Sequence, residues 1–229
     1  RGGPKIMIET KSGEKQLPIV PPKTNWGRFS WLPNRSSKSH RPAPWTFVSI
    51  PDFLNFDIEY PQKGWEDALG FIVDSMKKEK PGFAMVAGDL VMGHWGTSKK
   101  EINQWADKYY PAWTRRFQDH DLKVYTALGD HEVADNPWRG DKAAAVPFYK
   151  EAFRRHLGMP LNGPDHMKGT AFYWLHKNAL FVSVDVFEKG KSNQGEIAAG
   201  VSGRQLEWFE QVVSEYRSKV DHIVVMGHT

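Results

Sequence analysis

Phe83-Ala84-Met85-Val86-Ala87-Gly88-Asp89-Leu90-Val91 is the stretch on which the fold turns. An apolar run closed by a glycine describes a short strand whose tip must turn sharply without a Cβ in the way. An aspartate stands directly after that turn. The same pattern recurs along the chain. Thr46-Phe47-Val48-Ser49-Ile50 runs into Pro51-Asp52-Phe53-Leu54-Asn55-Phe56-Asp57, and Leu122 to Leu128 runs into Gly129-Asp130-His131-Glu132. Ile223 to Met226 runs into Gly227-His228-Thr229. Four strands therefore end on acids or histidines.

Between these runs the periodicity changes from two to three and four. Trp65, Leu69, Ile72, Val73 and Met76 mark a helix over residues 64 to 80. Residues 98 to 118 read as a helix opened by the capping box Ser98-x-x-Glu101 and interrupted near Pro111. A helix is expected over 146 to 157, then strands near 170 to 176 and 179 to 186. A last helix is expected from the capping box Ser202-x-x-Gln205, with Leu206, Phe209, Val213 and Tyr216 on one face. Strands alternating with helices imply an α/β fold, with a largely parallel central sheet flanked by helices.

The 229 residues suit one such domain, 40% hydrophobic and 25% charged. No apolar run approaches the roughly 18 residues of a membrane span, so no membrane is expected as a partner. The net charge of +4 raises the question of nucleic acid, but the charge is unevenly placed. Residues 1 to 44 hold nine Lys or Arg against two acids, leaving 22 bases and 25 acids in the remainder. Those 44 residues also carry seven of the fifteen prolines. They read as a basic, Pro-rich arm, with Trp26, Phe29, Trp31 and Leu32 able to pin it to a domain at 45 to 229. The ten tryptophans are scattered and not interleaved with basic residues, so no nucleic acid is expected. Cysteine is absent, which excludes thiolate metal sites. It does not settle the compartment, for which a secreted or periplasmic location is the expectation over a cytoplasmic one.

Ligands of open α/β sheets bind beyond the carboxyl ends of the strands. The four tips converge there, bringing carboxylates and imidazoles into one crevice, a mixture that suits Mn, Fe or Zn. A Gly-Asp after a strand is more often a plain turn, and Asp52 after a proline can be a cap. Four tips in order are harder to explain that way.

The order Asp, Gly-Asp, Gly-(Asn)-His-Glu and Gly-His resembles the calcineurin-like metallophosphoesterases, which include the purple acid phosphatases. The resemblance covers residues 45 to 229 and is carried best by Phe83 to Leu90, Ala127 to Glu132 and Gln205 to Thr229. It implies a hydrolase of phosphate esters with two divalent or trivalent metal ions, acting by in-line displacement on a small-molecule or phosphorylated substrate. Asp52 would bind the first metal, Asp89 would bridge both, and Asp130 and His228 would bind the second. His131 would protonate the leaving group or steady the phosphoryl transition state, with Glu132 fixing its orientation.

The chain departs from the family in three ways. Leu54 stands where the family usually has His, and Met92 where purple acid phosphatases have Tyr. Asp57 is the preferred substitute ligand, with Asn55 and His94 in supporting roles; the competing reading makes Asp57 and His94 ordinary surface groups. Asp130 stands where Asn is expected, which adds a negative charge. No later Gly-His-x-His segment follows Thr229, so relative to that family the domain is expected to be incomplete at its C-terminus. Arg139 follows the third motif closely enough to line a substrate pocket, since guanidinium suits phosphate, although an exposed loop arginine is commoner. The alternative function is a non-catalytic binding protein of the same fold with a degenerate metal site.

Overall fold

The computed structural model describes residues 7–10, 13–16, 43–192 and 195–228. The chain divides into two units, Arg1–Pro44 and Trp45–Thr229. In the first unit, β1 (Met7–Thr10) and β2 (Gly13–Gln16) form an antiparallel hairpin with Met7 opposite Gln16. The reading of this region as a basic, Pro-rich arm did not include that pairing. Its Pro21-Pro22 step and the aromatics at 26, 29 and 31 lie outside the described residues.

In the second unit, β3 (Val48–Ile50) leads through the single turn α1 (Phe56–Glu59) and α2 (Trp65–Lys78) to β4 (Ala84–Val86). α3 (Lys99–Gln118) then leads to β5 (Val124–Thr126). The three strands pair in parallel in the order β3-β4-β5, with Val48 opposite Ala84 and Ala84 opposite Val124. Parallel neighbours require crossovers of this kind. After α4 (Gly140–Leu157) come β6 (Phe172–His176) and β7 (Ala179–Ser183), a hairpin of β8 (Phe187–Ser192) and β9 (Gly195–Ala199), α5 (Gly203–Tyr216) and β10 (His222–Met226). The order β10-β7-β6 makes a second three-stranded sheet, parallel between β10 and β7 and antiparallel between β7 and β6.

The two sheets meet through aromatic rings. Phe83 packs edge-on against Phe181 at 5.0 Å and Trp174 at 5.7 Å, and Tyr125 stacks on Trp174 at 3.9 Å. Offset and edge-to-face contacts of this sort add to the area they bury. The parallel sheet expected from the sequence is thus one of two facing sheets, flanked by helices.

Three local expectations are corrected. α3 runs unbroken through Pro111. A mid-helix proline costs about 3 kcal/mol, but the helix fully buries Ile102 and Phe117 among others, each worth roughly 1.5–3 kcal/mol. α4 begins at Gly140, ahead of Pro147, rather than at 146. Ser202 precedes α5 without a side-chain cap bond. Instead, Gln205 is fully buried and grips the exit of β7: it accepts from the Asp185 N–H at 2.8 Å and donates to the Asp185 carbonyl at 2.7 Å.

Candidate metal centre

Asp52, Asp89 and Asp130 follow β3, β4 and β5, while His228 follows β10 of the other sheet, so both sheets contribute to one site. Close approach of these tips depends on Gly88. It sits at φ +86°, and a Cβ there would lie 2.8 Å from both the Gly129 Cα and the His228 ring carbon. Asp52 and Asp89 are themselves left-handed, at φ 49° and 54°, as are Ala134 and Asp135 at 77° and 60°. Asp tolerates this region better than most residues, and such outliers gather at functional sites.

His228 stands among three carboxylates, those of Asp52, Asp89 and Asp130. Its Nδ1 lies 2.6 Å from the Ala87 carbonyl, which can only accept, so Nδ1 bears a hydrogen. Its Nε2 faces two more acceptors, Asp89 Oδ2 at 3.3 Å and Asp130 Oδ1 at 3.2 Å. The Asp52 carboxylate lies 3.7 Å from Nδ1. Hydrogen bonds donated to Asp130 and Asp89 accordingly push the imidazole pKa up to about 11, against the effect of burial. The His228 bond holds Asp130 well below the usual carboxylate range, while burial pushes Asp89 up. The imidazolium proton thus sits where two carboxylates demand positive charge. A cation replacing that proton would satisfy the same oxygens and leave a neutral imidazole ligand, so these residues fit a metal ion.

Candidate ligand atoms form three groups that share members: Asp52, Asp89 and His228; Asp89, Asp130 and His131; and His94, His131 and Asp135. Within each group the atoms lie within 4.8 Å of one another. His131 Nδ1 donates to the Met92 carbonyl at 2.9 Å, leaving Nε2 free to face the site, 3.9 Å from Asp89. Burial opposes the imidazolium, but the Met92 carbonyl and the carboxylates of Asp89, Asp130 and Asp135 outweigh it, and its pKa rises. Gly93 allows this contact, because a Cβ there would collide with the His131 carbonyl.

Beneath these candidate ligands lies Glu132, fully buried. It accepts the backbone N–H groups of Asp89 (2.8 Å), Leu90 (2.7 Å), Val91 (3.2 Å) and Gly129 (2.9 Å). Burial and the nearby Asp89 push its carboxyl up to about 7, against the Leu90, Gly129 and Val91 amides. The expectation that Glu132 orients His131 gives way to a different placement: it ties the β4 and β5 tips together, and Met92 holds the His131 ring.

The structure brings Asp52, Asp89, Asp130, His131 and His228 together, with His94 at the edge through its 3.2 Å contact to Asp135. It does not gather Asp57, the preferred substitute ligand, with them. The Asp57 carboxylate is buried in an ion pair with Arg116 of α3. Asn55 is also engaged there, accepting from Arg116 and donating to the Tyr109 carbonyl. Arg139 precedes α4 as an exposed residue outside the ligand groups.

Sequence reasoning missed two residues. Asp135 is carried back toward the site by a 3-10 turn over His131–Val133 followed by two left-handed residues. Glu59 of α1 accepts the Met92 N–H at 3.1 Å and so supports the turn that holds His131. Burial pushes Glu59 up to about 7, against Met92 and His131. The Asp135-Asn136-Pro137 turn signature hinted at the first; Glu59 had no local signal.

No protein-family profile matches the sequence, and no curated protein matches it. The fold is a mixed α/β architecture with a parallel three-stranded sheet flanked by helices. Among solved structures, the chain is similar to a dimetal phosphatase from Danio rerio, with a TM-score of 0.51 and 15% identity. The match covers 80% of this chain and 69% of that one.

Proposed function

We propose that the chain is a calcineurin-like phosphoesterase that hydrolyses phosphate esters at a dinuclear metal centre. The observation that carries this reading is the His228 ring placed between the Asp89 and Asp130 carboxylates, in a cluster whose candidate ligand groups share Asp89. The name of the Danio rerio neighbour adds support to it. Asp52, Asp89, Asp130 and His228 would hold the ions, of the Mn, Fe or Zn kind, with Asp89 common to two groups. Such a pair supplies Lewis acidity to the phosphoryl group and activates water as nucleophile.

The chain's own residues do the rest. Glu132 fixes the Asp89 and Asp130 tips so that their oxygens need no reorganisation. His131, held through Nδ1, passes a proton from Nε2 to the leaving oxygen. The rim of exposed His94 and half-buried Asp135 is where an ester would enter. The test is metal analysis of the purified chain, with hydrolysis of 4-nitrophenyl phosphate in added Mn2+, Fe2+ or Zn2+. About two metal ions per chain, with turnover falling at least 100-fold in His131→Ala, supports the enzyme. Trace metal and no turnover would move the reading to a binding protein with a degenerate site.

A further inference from the structure

Next to the rim histidine lies a cavity of about 180 Å³ lined by Glu59, Tyr60, Met92, His94, Trp95, Trp105 and Tyr109. A whole small-molecule site is usually roughly 300–1,000 Å³, so this one takes a single ring of a larger ligand. Its wall is a continuous stack of aromatics. Trp105 stacks on Tyr109 at 5.5 Å and 5°, Tyr109 on Trp95 at 6.1 Å, and Trp95 on Tyr149 at 5.8 Å. The stack runs from exposed Trp105 to fully buried Tyr149, whose hydroxyl donates to the Gly93 carbonyl at 2.7 Å. Lys108 lies over the faces of Tyr109 and Trp105, at 4.9 and 5.6 Å. The inner rings of the stack are covered by one another, so the partly exposed indole of Trp105, at its outer end, is the face on which a flat ring would stack.

The polar groups fix the orientation of such a ring. Both Glu59 oxygens share the one Met92 N–H, leaving carboxylate lone pairs for a donor. His94 belongs at once to the cavity wall and to the ligand group with His131 and Asp135, and its ring lies 5.9 Å from that of His131. We propose that this cavity seats the leaving group of the substrate, a planar heteroaromatic ring bearing an N–H donor toward Glu59, with the phosphoryl group lying over His94 and His131. The assignment of the phosphoryl end rests on the phosphoesterase reading, and the ring site itself does not.

The test separates the two. Free 2-aminopurine, whose fluorescence is quenched by stacking on aromatic side chains, is titrated with the whole chain without metal. Saturable quenching is expected, at least fivefold weaker in Trp105→Ala and unchanged in Phe71→Ala, an exposed aromatic on α2. No saturable quenching, or equal quenching by Trp105→Ala, overturns the ring site. In parallel, phenyl and cyclohexyl phosphate are compared with Mn2+ present. The ratio of their kcat/KM values should favour phenyl and fall at least fivefold in Trp105→Ala. Both esters hydrolysed without quenching would end the ring inference and leave the phosphoesterase; quenching without hydrolysis of either would do the reverse.

Discussion

Among the described residues two carboxylates are fully buried, Glu132 and Asp185, and they are compensated in opposite ways. Asp185, at the exit of β7, receives the Lys150 ammonium at 2.9 and 2.8 Å, the Phe187 N–H at 3.0 Å and the grip of Gln205 on its own backbone. Glu132 receives four backbone amides and, among the described residues, no cation. Above it stand Asp89 and Asp130, which add negative charge instead of cancelling it. Burying unpaired charge is costly, and buried ions are normally paired or bound to metals. Asp185 is matched with a lysine of its own, whereas Asp89 and Asp130 at the strand tips share the single imidazole of His228.

That contrast can be broken by experiment, and the largest effect should come from Glu132→Ala. It strands four buried amides, each worth about 1–3 kcal/mol, so unfolding in urea should show a loss above about 4 kcal/mol or no folded protein. Lys150→Met leaves Asp185 buried and unpaired, and should cost about 3–5 kcal/mol in the same measurement. If the two carboxylates differ as described, the stabilisation of Lys150→Met by Mn2+ should match that of the wild type.

Metal addition provides the next test. Mn2+ at 100 times its dissociation constant should stabilise the wild type by about 2.7 kcal/mol, read as a shift in the urea midpoint. Asp89→Asn should lose that response. An unchanged response would show that the ion binds elsewhere. The smallest effect is expected from Asp57→Asn, which keeps a hydrogen bond to Arg116 and should cost roughly 1–2 kcal/mol. Its Mn2+ affinity, measured calorimetrically, should stay within about twofold, because Asp57 is tied to α3 and stands apart from the ligand groups.

The parts of this architecture that were legible in the sequence are those written locally. Apolar runs ending in Gly-Asp or Gly-His marked where β4, β5 and β10 would stop, and the Ser98–Glu101 capping box appears as read, with Ser98 Oγ accepting from the Glu101 N–H at 3.2 Å. The division into two sheets was not legible, because it depends on which faces Phe83, Trp174 and Phe181 share in three dimensions. The fate of Asp57 was hidden for the same reason. A carboxylate near a strand tip looks the same whether it meets a metal or Arg116, a residue 59 positions away. Gln205 was misread through a motif that is local, since its side chain had a buried backbone partner available at Asp185.

The four amides on Glu132 have a consequence for how this protein trades hydrogen with water. The N–H groups of Asp89, Leu90, Val91 and Gly129 end on one carboxylate, so no single one is freed by a small fluctuation of its own loop. They should exchange with deuterium together, through one cooperative opening that lifts the side chain out of its socket. Two chain segments some forty residues apart would then share a single isotope clock.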